Sequence, residues 1–584
     1  MRKKIKNFWF YFVLLLAFFI LTGHFIYVYK TYQFPKWDEY IFLDQAVAAR
    51  DILLHPSTSI FSRLESIFVS RPPIYGISIA LPLLIVSFHF AYKTALIING
   101  IYYAATIISL YFLSKKFFSP FAGFLTAFIF AFYGFNLFYL HFAYSETATT
   151  TLIVLSLLFL SSIKSFNDKK NLILFSLFFG LGLLTRWVTP IFLAGPVMLV
   201  LVRLLLKSKI AKLNKNVFVN ICLSLFFALG LPILIYYLPQ FANFKTYVVN
   251  AQKYSPEWVS TLSYLSPNLK NTFSTTSVMF YFNIISQNTI YFFILFAAGL
   301  IISLIKFKKY LFLILAFAVP YLFFTFFTVF KDDRFIVPIY PSMALISAVF
   351  INELKYIKTK YFLAFIIITF GLLNFFGGYF GVGPLGHQGL KDIVLPSFIH
   401  HPRRIYLTTM VWPPRPDEIP ARHIVNAVLR LNRTNHVPII LNTYTFNPLE
   451  LDNALSSLQH YENKDMFIAS NLRNINRGDY KELINRVVNS DFVLTKSEKK
   501  ETDVKKFTGY DTDYMILIFD KLSASQNYSL PEQYKKITTF YYPLEKINLD
   551  LYQKIKEANI SDFENWKEVL KELDPQYSKE ISDF

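Results

Sequence analysis

The chain has 584 residues, of which 54% are hydrophobic, 19% aromatic and only 16% charged. Soluble domains carry about 25% charged residues. The deficit, with 65 Phe and 38 Tyr, excludes an ordinary soluble globule and makes lipid the solvent for much of the chain. The net charge of +20 does not point to nucleic acid. The basic residues fall in short loops between apolar stretches, as Lys and Arg do on the cytoplasmic side of membrane proteins. A single cysteine, Cys222, excludes an intrachain disulfide and a Cys-based zinc site. No phosphate-cradling Gly-rich string and no His-Glu-x-x-His occurs, so ATP-driven transport and zincin chemistry lack support.

Arg2, Lys3, Lys4 and Lys6 precede an apolar stretch at 8–29 that is long enough to cross a bilayer. It ends in Tyr27, Tyr29 and Tyr32, side chains suited to the membrane interface. This predicts an uncleaved anchor with a cytoplasmic N-terminus. The outer loop 30–94 carries Trp37-Asp38-Glu39, followed by a short helix around Ala46, Ala48 and Ala49. Adjacent carboxylates at a membrane mouth can act as a general base or bind a divalent cation. They can equally be a solvated pair, or Asp38 a helix cap. Ser70-Arg71-Pro72-Pro73-Ile74-Tyr75 comes next. The prolines hold Arg71 extended, where its guanidinium can grip a phosphate or a lipid headgroup.

Residues 74–91 are apolar enough to span. If they did, Lys115 and Lys116 would lie outside and every later loop would invert. This stretch is therefore predicted as a helix at the outer face, or a re-entrant one. Further spans are predicted at 95–113, 119–140, 147–163, 171–186, 189–206, 217–239, 289–305, 310–329, 336–352 and 361–380, about eleven in all. The connections assigned to the cytoplasm hold twenty Lys and Arg against only Asp168 and Glu353. The bias recurs on every second connection, so each loop supports the same topology.

Three further outer elements carry ionisable groups. Glu146 opens a span, where the helix dipole favours a carboxylate and Ser145 can cap; His141 lies just before it. Either can instead contact a sugar or a metal. Arg186 ends a span in Leu184-Thr185-Arg186; a charge at that depth is a functional candidate or a snorkelling side chain. Arg334 follows Lys331-Asp332-Asp333 and precedes Pro338 and Pro341; the aspartates can simply pair with it. The outer loop 240–288 adds Tyr247, Tyr254, Trp258 and Tyr264, which suit a sugar ring or merely the interface.

A Gly/Pro-rich stretch, 377–384, is predicted to end the membrane part. Beyond it β-like runs at 437–442, 465–469, 491–495 and 514–519 alternate with helix-like stretches at 421–433, 447–459 and 479–488. That alternation predicts a small α/β domain. The expected division is a membrane domain over 1–384 and an extracytoplasmic α/β domain over 385–584.

With these elements in order, the sequence resembles the GT-C superfamily of membrane glycosyltransferases, and most of all protein O-mannosyltransferases and lipid A aminoarabinose transferases. Trp37-Asp38-Glu39 is similar to the acidic motif of their first outer loop. Arg71-Pro72-Pro73-Ile74-Tyr75 is similar to their basic-Pro-Pro-x-Tyr element, and Glu146 stands in the place of a second acid, often Asp. Thr185-Arg186 is similar to a Leu-Thr-Lys element, and Arg334-Phe335 with Pro338 and Pro341 to an Arg-Tyr-x-x-Pro element. The resemblance covers about residues 1–380.

It implies a multi-pass cell-membrane enzyme of the GT-C fold that takes sugar from a polyprenyl-phosphate donor and passes it, with inversion, to a hydroxyl on a protein, lipid or glycan. Asp38 and Glu39 are the expected catalytic residues. Arg71, Arg186 and Arg334 are expected on the donor phosphate, and Glu146 and His141 on substrate or metal. Metal use is left open: a divalent ion such as Mg or Mn, or none. The competing class is a transporter or flippase of lipid-linked sugars. Transporters usually carry repeats and midplane charges, whereas these charges sit at the predicted outer edge.

Overall fold

The computed structural model describes residues 2–31, 39–55, 66–68, 71–87, 90–207, 215–243, 245, 275–287, 290–328, 332–380, 393–395, 403–405, 421–432, 437–442, 468–472, 475, 478–496, 518–519, 522, 530–542 and 547–582. The chain folds as two compact units. One holds residues 1–30 and 41–414, the other 31–40 and 415–584.

The first unit is helical. Its helices are α1 Arg2–Lys30, α2 Glu39–Leu54 (from residue 41), α3 Pro73–Leu83, α4 Ala91–Ser114, α5 Pro120–Ala131, α6 Gly134–Leu140, α7 Glu146–Leu160 and α8 Lys169–Leu183. They continue with α9 Thr189–Lys207, α10 Lys215–Leu225, α11 Thr275–Gln287, α12 Ile290–Ile305, α13 Phe307–Phe326, α14 Tyr340–Glu353 and α15 Ile357–Phe380. Every stretch predicted to span is helical over most of its described residues. Among the described residues seven helices are long and apolar enough to cross a membrane, and α5 with α6 makes an eighth if that pair, bent by 57°, is one span. The count of eleven is not confirmed among the described residues. α7 and α8 have 15 residues each and α12 has 16, a rise of roughly 22–24 Å against a hydrocarbon core of about 30 Å. Helix α3 has 11 residues, about 16 Å long, so it cannot cross.

A helix bundle in lipid must satisfy its polar groups internally. The bend between α5 and α6 frees backbone carbonyls, and neighbouring helices supply donors. The Tyr103 hydroxyl donates to the Phe130 and Ala131 carbonyls at 3.1 and 3.2 Å. Asn374 Nδ2 donates to the Phe132 carbonyl at 3.2 Å. Along α7, Thr149, Thr150 and Thr151 return their hydroxyls to carbonyls four residues back. Small residues let backbones approach where no hydrophobic force drives helices together. A Cβ on Gly299 of α12 would lie 2.0 Å from the Ile346 carbonyl oxygen of α14.

Pro72 is extended and Pro73 starts α3, as the Pro-Pro pair predicts. The amide of Ile74 then donates to the Leu184 carbonyl at 3.0 Å. Gly377 to Phe380 remain helical at the end of α15, so the expected linker begins later than the glycines imply; residues 381–384, and with them the expected boundary at 384, lie outside the described residues. A short antiparallel hairpin, β1 Ile393–Leu395 with β2 Arg403–Ile405, still belongs to the first unit.

The second unit holds the mixed sheet. Strands β3 Ile439–Asn442, β4 Ile468–Asn471 and β5 Phe492–Lys496 are parallel, while β6 Tyr534–Tyr542 and β7 Ile547–Lys554 are antiparallel, in the order β4-β3-β5-β7-β6. Helices α16 Ala421–Leu431, α17 Tyr480–Val488, α18 Glu564–Leu573 and the short α19 Ser578–Ser582 complete it. Its core gathers Leu441, Ile484, Val493, Phe519, Phe563 and Trp566. The α/β expectation is met by β3, β4, β5, α16 and α17. The strand expected at 514–519 is not: Ile518 and Phe519 are helical, and 514–517 lie outside the described residues, as does 447–459. Strands β6 and β7 were not expected. In β7 Leu549, Asp550 and Leu551 are all buried, so the strand carries a charge into the interior and lacks a clean period-2 signal.

Candidate active site

The charged elements are brought together by four local structures. Helix α7 begins at Glu146, whose side chain is 3% exposed. Ser145 stands at its N-cap without a side-chain cap hydrogen bond. The turn after α8 delivers Arg186, and its Nη1 donates to Glu146 Oε1 at 2.6 Å. Arg186 therefore does not merely snorkel. A buried charge costs several kcal/mol unless paired, and a carboxylate–guanidinium bond offsets that cost. Glu146 Oε2 is buried with no hydrogen-bond partner among the described residues. It is an acceptor left open inside the site.

The third structure is a 3-10 turn, Asp333–Ile339, capped by Asp332. Asp332 Oδ1 accepts from the Arg334 amide at 3.0 Å, and Oδ2 pairs with Arg334 Nε at 2.7 Å. Pairing of Arg334 with an aspartate was the bland reading of this motif, and the geometry bears it out for Asp332. Asp333 turns elsewhere and accepts from the Tyr139 hydroxyl at 2.6 Å. The two arginines also lie over rings of the neighbouring element. Arg186 Cζ is 5.7 Å from the Phe335 centroid and Arg334 Cζ is 5.3 Å from that of Tyr144. Such contacts contribute about 0.5–2 kcal/mol and orient the guanidinium. Pro341 then opens α14, so the prolines end the tight turn and start a helix.

The fourth structure carries Arg71. Its Cζ lies 6.0 Å from the Phe42 ring of α2. The Ile74–Leu184 backbone bond ties its segment to the residues just before Arg186. Phe68, Ala80, Ala49, Leu184 and Tyr236 form one buried apolar cluster beneath both. The end of α2 through α3 and the Arg186 turn thus share one core.

Glu39 opens α2 and is fully buried. Asp38 lies outside the described residues, as do Tyr247, Tyr254, Trp258 and Tyr264. His141 faces the first helix: its ring stacks on Tyr27 with centroids 3.5 Å apart and lies 5.5 Å from His24. Its backbone accepts from the Tyr92 hydroxyl at 3.5 Å. Tyr139 and Tyr144 joined the site without having been singled out from sequence, whereas Phe335 belongs to the Arg334-Phe335 element. A membrane chain with 19% aromatics gives no composition signal that separates them from interface rings. For a divalent ion, no group of three His, Cys, Asp or Glu stands close enough to hold one among the described residues. Glu146 Oε2 alone would supply one ligand where such ions take six or more.

The fold is similar to that of a solved membrane oligosaccharyltransferase. The chain is similar to the solved oligosaccharyltransferase AglB of Archaeoglobus fulgidus, in complex with an inhibitory peptide and a dolichol-phosphate. The TM-score is 0.51 at 11% identity, over 84% of this chain and 70% of that one. It is also similar to ArnT of Cupriavidus metallidurans bound to undecaprenyl phosphate, with a TM-score of 0.48 at 11% identity over 92% and 98% of the two chains. A second Archaeoglobus fulgidus oligosaccharyltransferase structure, a complex with Zn and sulfate, has a TM-score of 0.45 at 12% identity, over 82% and 68%. No protein family and no curated protein matches the sequence.

Proposed function

We propose that the protein is an inverting glycosyltransferase that moves a sugar from a polyprenyl-phosphate donor to a hydroxyl acceptor at the outer membrane face. One observation carries the reading. Glu146, Arg186 and Arg334, from three distant stretches of chain, lie in one connected network at one end of the helix bundle, with the Arg71 segment joined to it. The fold shared with AglB supports the same reaction class, and the dolichol-phosphate held by AglB supports a donor of that kind.

The chemistry fits the residues. A phosphate leaves well without a general acid, unlike the alcohol that glycosidases must protonate. One base then suffices. Asp38 removes the acceptor hydroxyl proton while that oxygen bonds to the anomeric carbon and the bond to the donor phosphate breaks on the opposite side. A single in-line displacement inverts the anomer. The negative charge growing on the phosphate is met by Arg71, Arg186 and Arg334, the last two already desolvated and ring-oriented. Glu39 and the open Glu146 Oε2 accept hydrogen bonds from sugar or acceptor. The polyprenyl tail lies in lipid beside the bundle, which accounts for a sugar transferase with a membrane body. The N-terminus is then cytoplasmic, and residues after the last span form an extracytoplasmic domain.

The test is transfer by purified protein in vesicles from radiolabelled polyprenyl-phosphate sugar. Release of polyprenyl phosphate is expected, with Asp38→Asn lowering turnover about 10²–10⁴-fold at unchanged expression. Near-normal turnover by that variant removes the base from Asp38. Movement of intact donor across the bilayer without release makes the protein a flippase instead.

A further inference from the structure

At the far end of α7 from Glu146 the structure holds a cavity of about 330 Å³. Helix α7 has 15 residues, which puts roughly 20 Å between its two ends. The cavity is therefore separate from the ion-pair network. It is built where α7 and α9 end and α13 begins. Phe117, Leu160, Val200 and Phe312 give it apolar walls, and Lys164 and Arg203 stand at it with their charges.

These two cations differ from the arginines at the other end. Both are exposed, and neither has an ion pair among the described residues. Among the described residues no acid lines the cavity. Asp168, the acid nearest in sequence, is held by Asn171 Nδ2 at 3.0 and 2.9 Å and caps α8. At the negative end of α7 the Leu158 carbonyl is already hydrogen-bonded. Lys116 Nζ and the hydroxyls of Ser161 and Ser162 all donate to the Leu158 carbonyl, at 2.5, 2.9 and 2.8 Å. What remains among the described residues is a pair of cations without ion-pair partners beside an apolar slot, where helices α7 and α9 end.

An occupant must match both halves. A free anion would neutralise the cations and leave the rings and aliphatic walls wet. A neutral lipid would cover the walls and leave two charges unmet. A volume near 300 Å³ is the size at which ligand pockets begin. We propose that this cavity seats one anionic phospholipid, its phosphate between Lys164 and Arg203 and the first part of an acyl chain against Phe117, Leu160, Val200 and Phe312.

The test is native mass spectrometry of the full chain in neutral detergent, with equimolar phosphatidylglycerol and phosphatidylcholine of identical chains. One phosphatidylglycerol is expected to be retained in preference. In the double variant Lys164→Gln/Arg203→Gln that preference is expected to fall about thirtyfold, from two basic contacts to an anionic headgroup. Val200→Trp, which fills the slot and leaves both charges, is expected to lose the lipid as well. Equal retention of both lipids by the unaltered protein overturns the proposal, as does undiminished preference in either variant. Displacement of the lipid by millimolar inorganic phosphate overturns it too, because the site would then read only a free anion. None of these readings depends on sugar transfer.

Discussion

The two ends of helix α7 are each rich in positive charge, and they treat it in opposite ways. At the Glu146 end the guanidiniums are part-buried, paired with carboxylates and laid over rings. At the Leu160 end Lys164 and Arg203 are exposed and unpaired among the described residues. The difference teaches where reactivity can be kept. A charge taken out of water survives only with partners, so the paired end is held in one geometry before any substrate arrives. The unpaired end is solvated and costs nothing to leave open.

Several changes would break or sharpen that contrast. The largest effect is expected from Glu146→Gln, which strands the Arg186 charge. Transfer should fall about 10²–10³-fold if the residue stabilises the reacting charge, and the fold should lose about 3–5 kcal/mol. Turnover and a denaturation curve read the two separately. The swap Glu146→Arg/Arg186→Glu remakes a pair of opposite sign. Recovery of stability without recovery of transfer assigns the pair to chemistry; recovery of both makes it purely structural.

The second unit, built around the mixed sheet, provides a reference outside the helix bundle. Trp566 is 2% exposed and packs edge-on to Phe519 and Phe563, so Trp566→Ala should cost about 3–5 kcal/mol. Proteolysis of residues beyond 415 would report the loss. A smaller effect is expected at Gly180, where a Cβ would lie 2.1 Å from the Phe227 carbonyl oxygen. Gly180→Ala should cost about 1–3 kcal/mol by overpacking, read as a lower melting temperature in detergent. Least of all is expected from Lys164→Gln with Arg203→Gln. Exposed charges without partners should move stability by under about 0.5 kcal/mol and leave transfer unchanged. A larger fall in either would place these cations in the fold or the reaction rather than at its far end.

Much of this was legible in the chain because membrane helices are written in composition. All eleven apolar stretches are helical over most of their described residues, and Pro72 is extended with Pro73 starting a helix, as the pair requires. The failures have local causes. Three helices fall short of the bilayer's thickness, which a hydropathy reading of longer stretches merges with their flanks. The strand at Ile547–Lys554 was hidden by Asp550, whose charge is met in space by Lys536 at 2.7 Å and by the Thr539 hydroxyl. Ionic partners eleven or more residues away leave no periodic mark.

Composition and hydropathy alone make lipid the solvent for much of this chain and mark the order in which acids, arginines and prolines occur along it, because burial in hydrocarbon is selected residue by residue. Only the tertiary structure decided who pairs with whom. Arg186 takes Glu146, Arg334 takes Asp332, Asp333 takes Tyr139, and His141 stacks on Tyr27. Those choices follow from which helix ends meet, and a charge excluded from water must accept whichever partner the packing brings within reach.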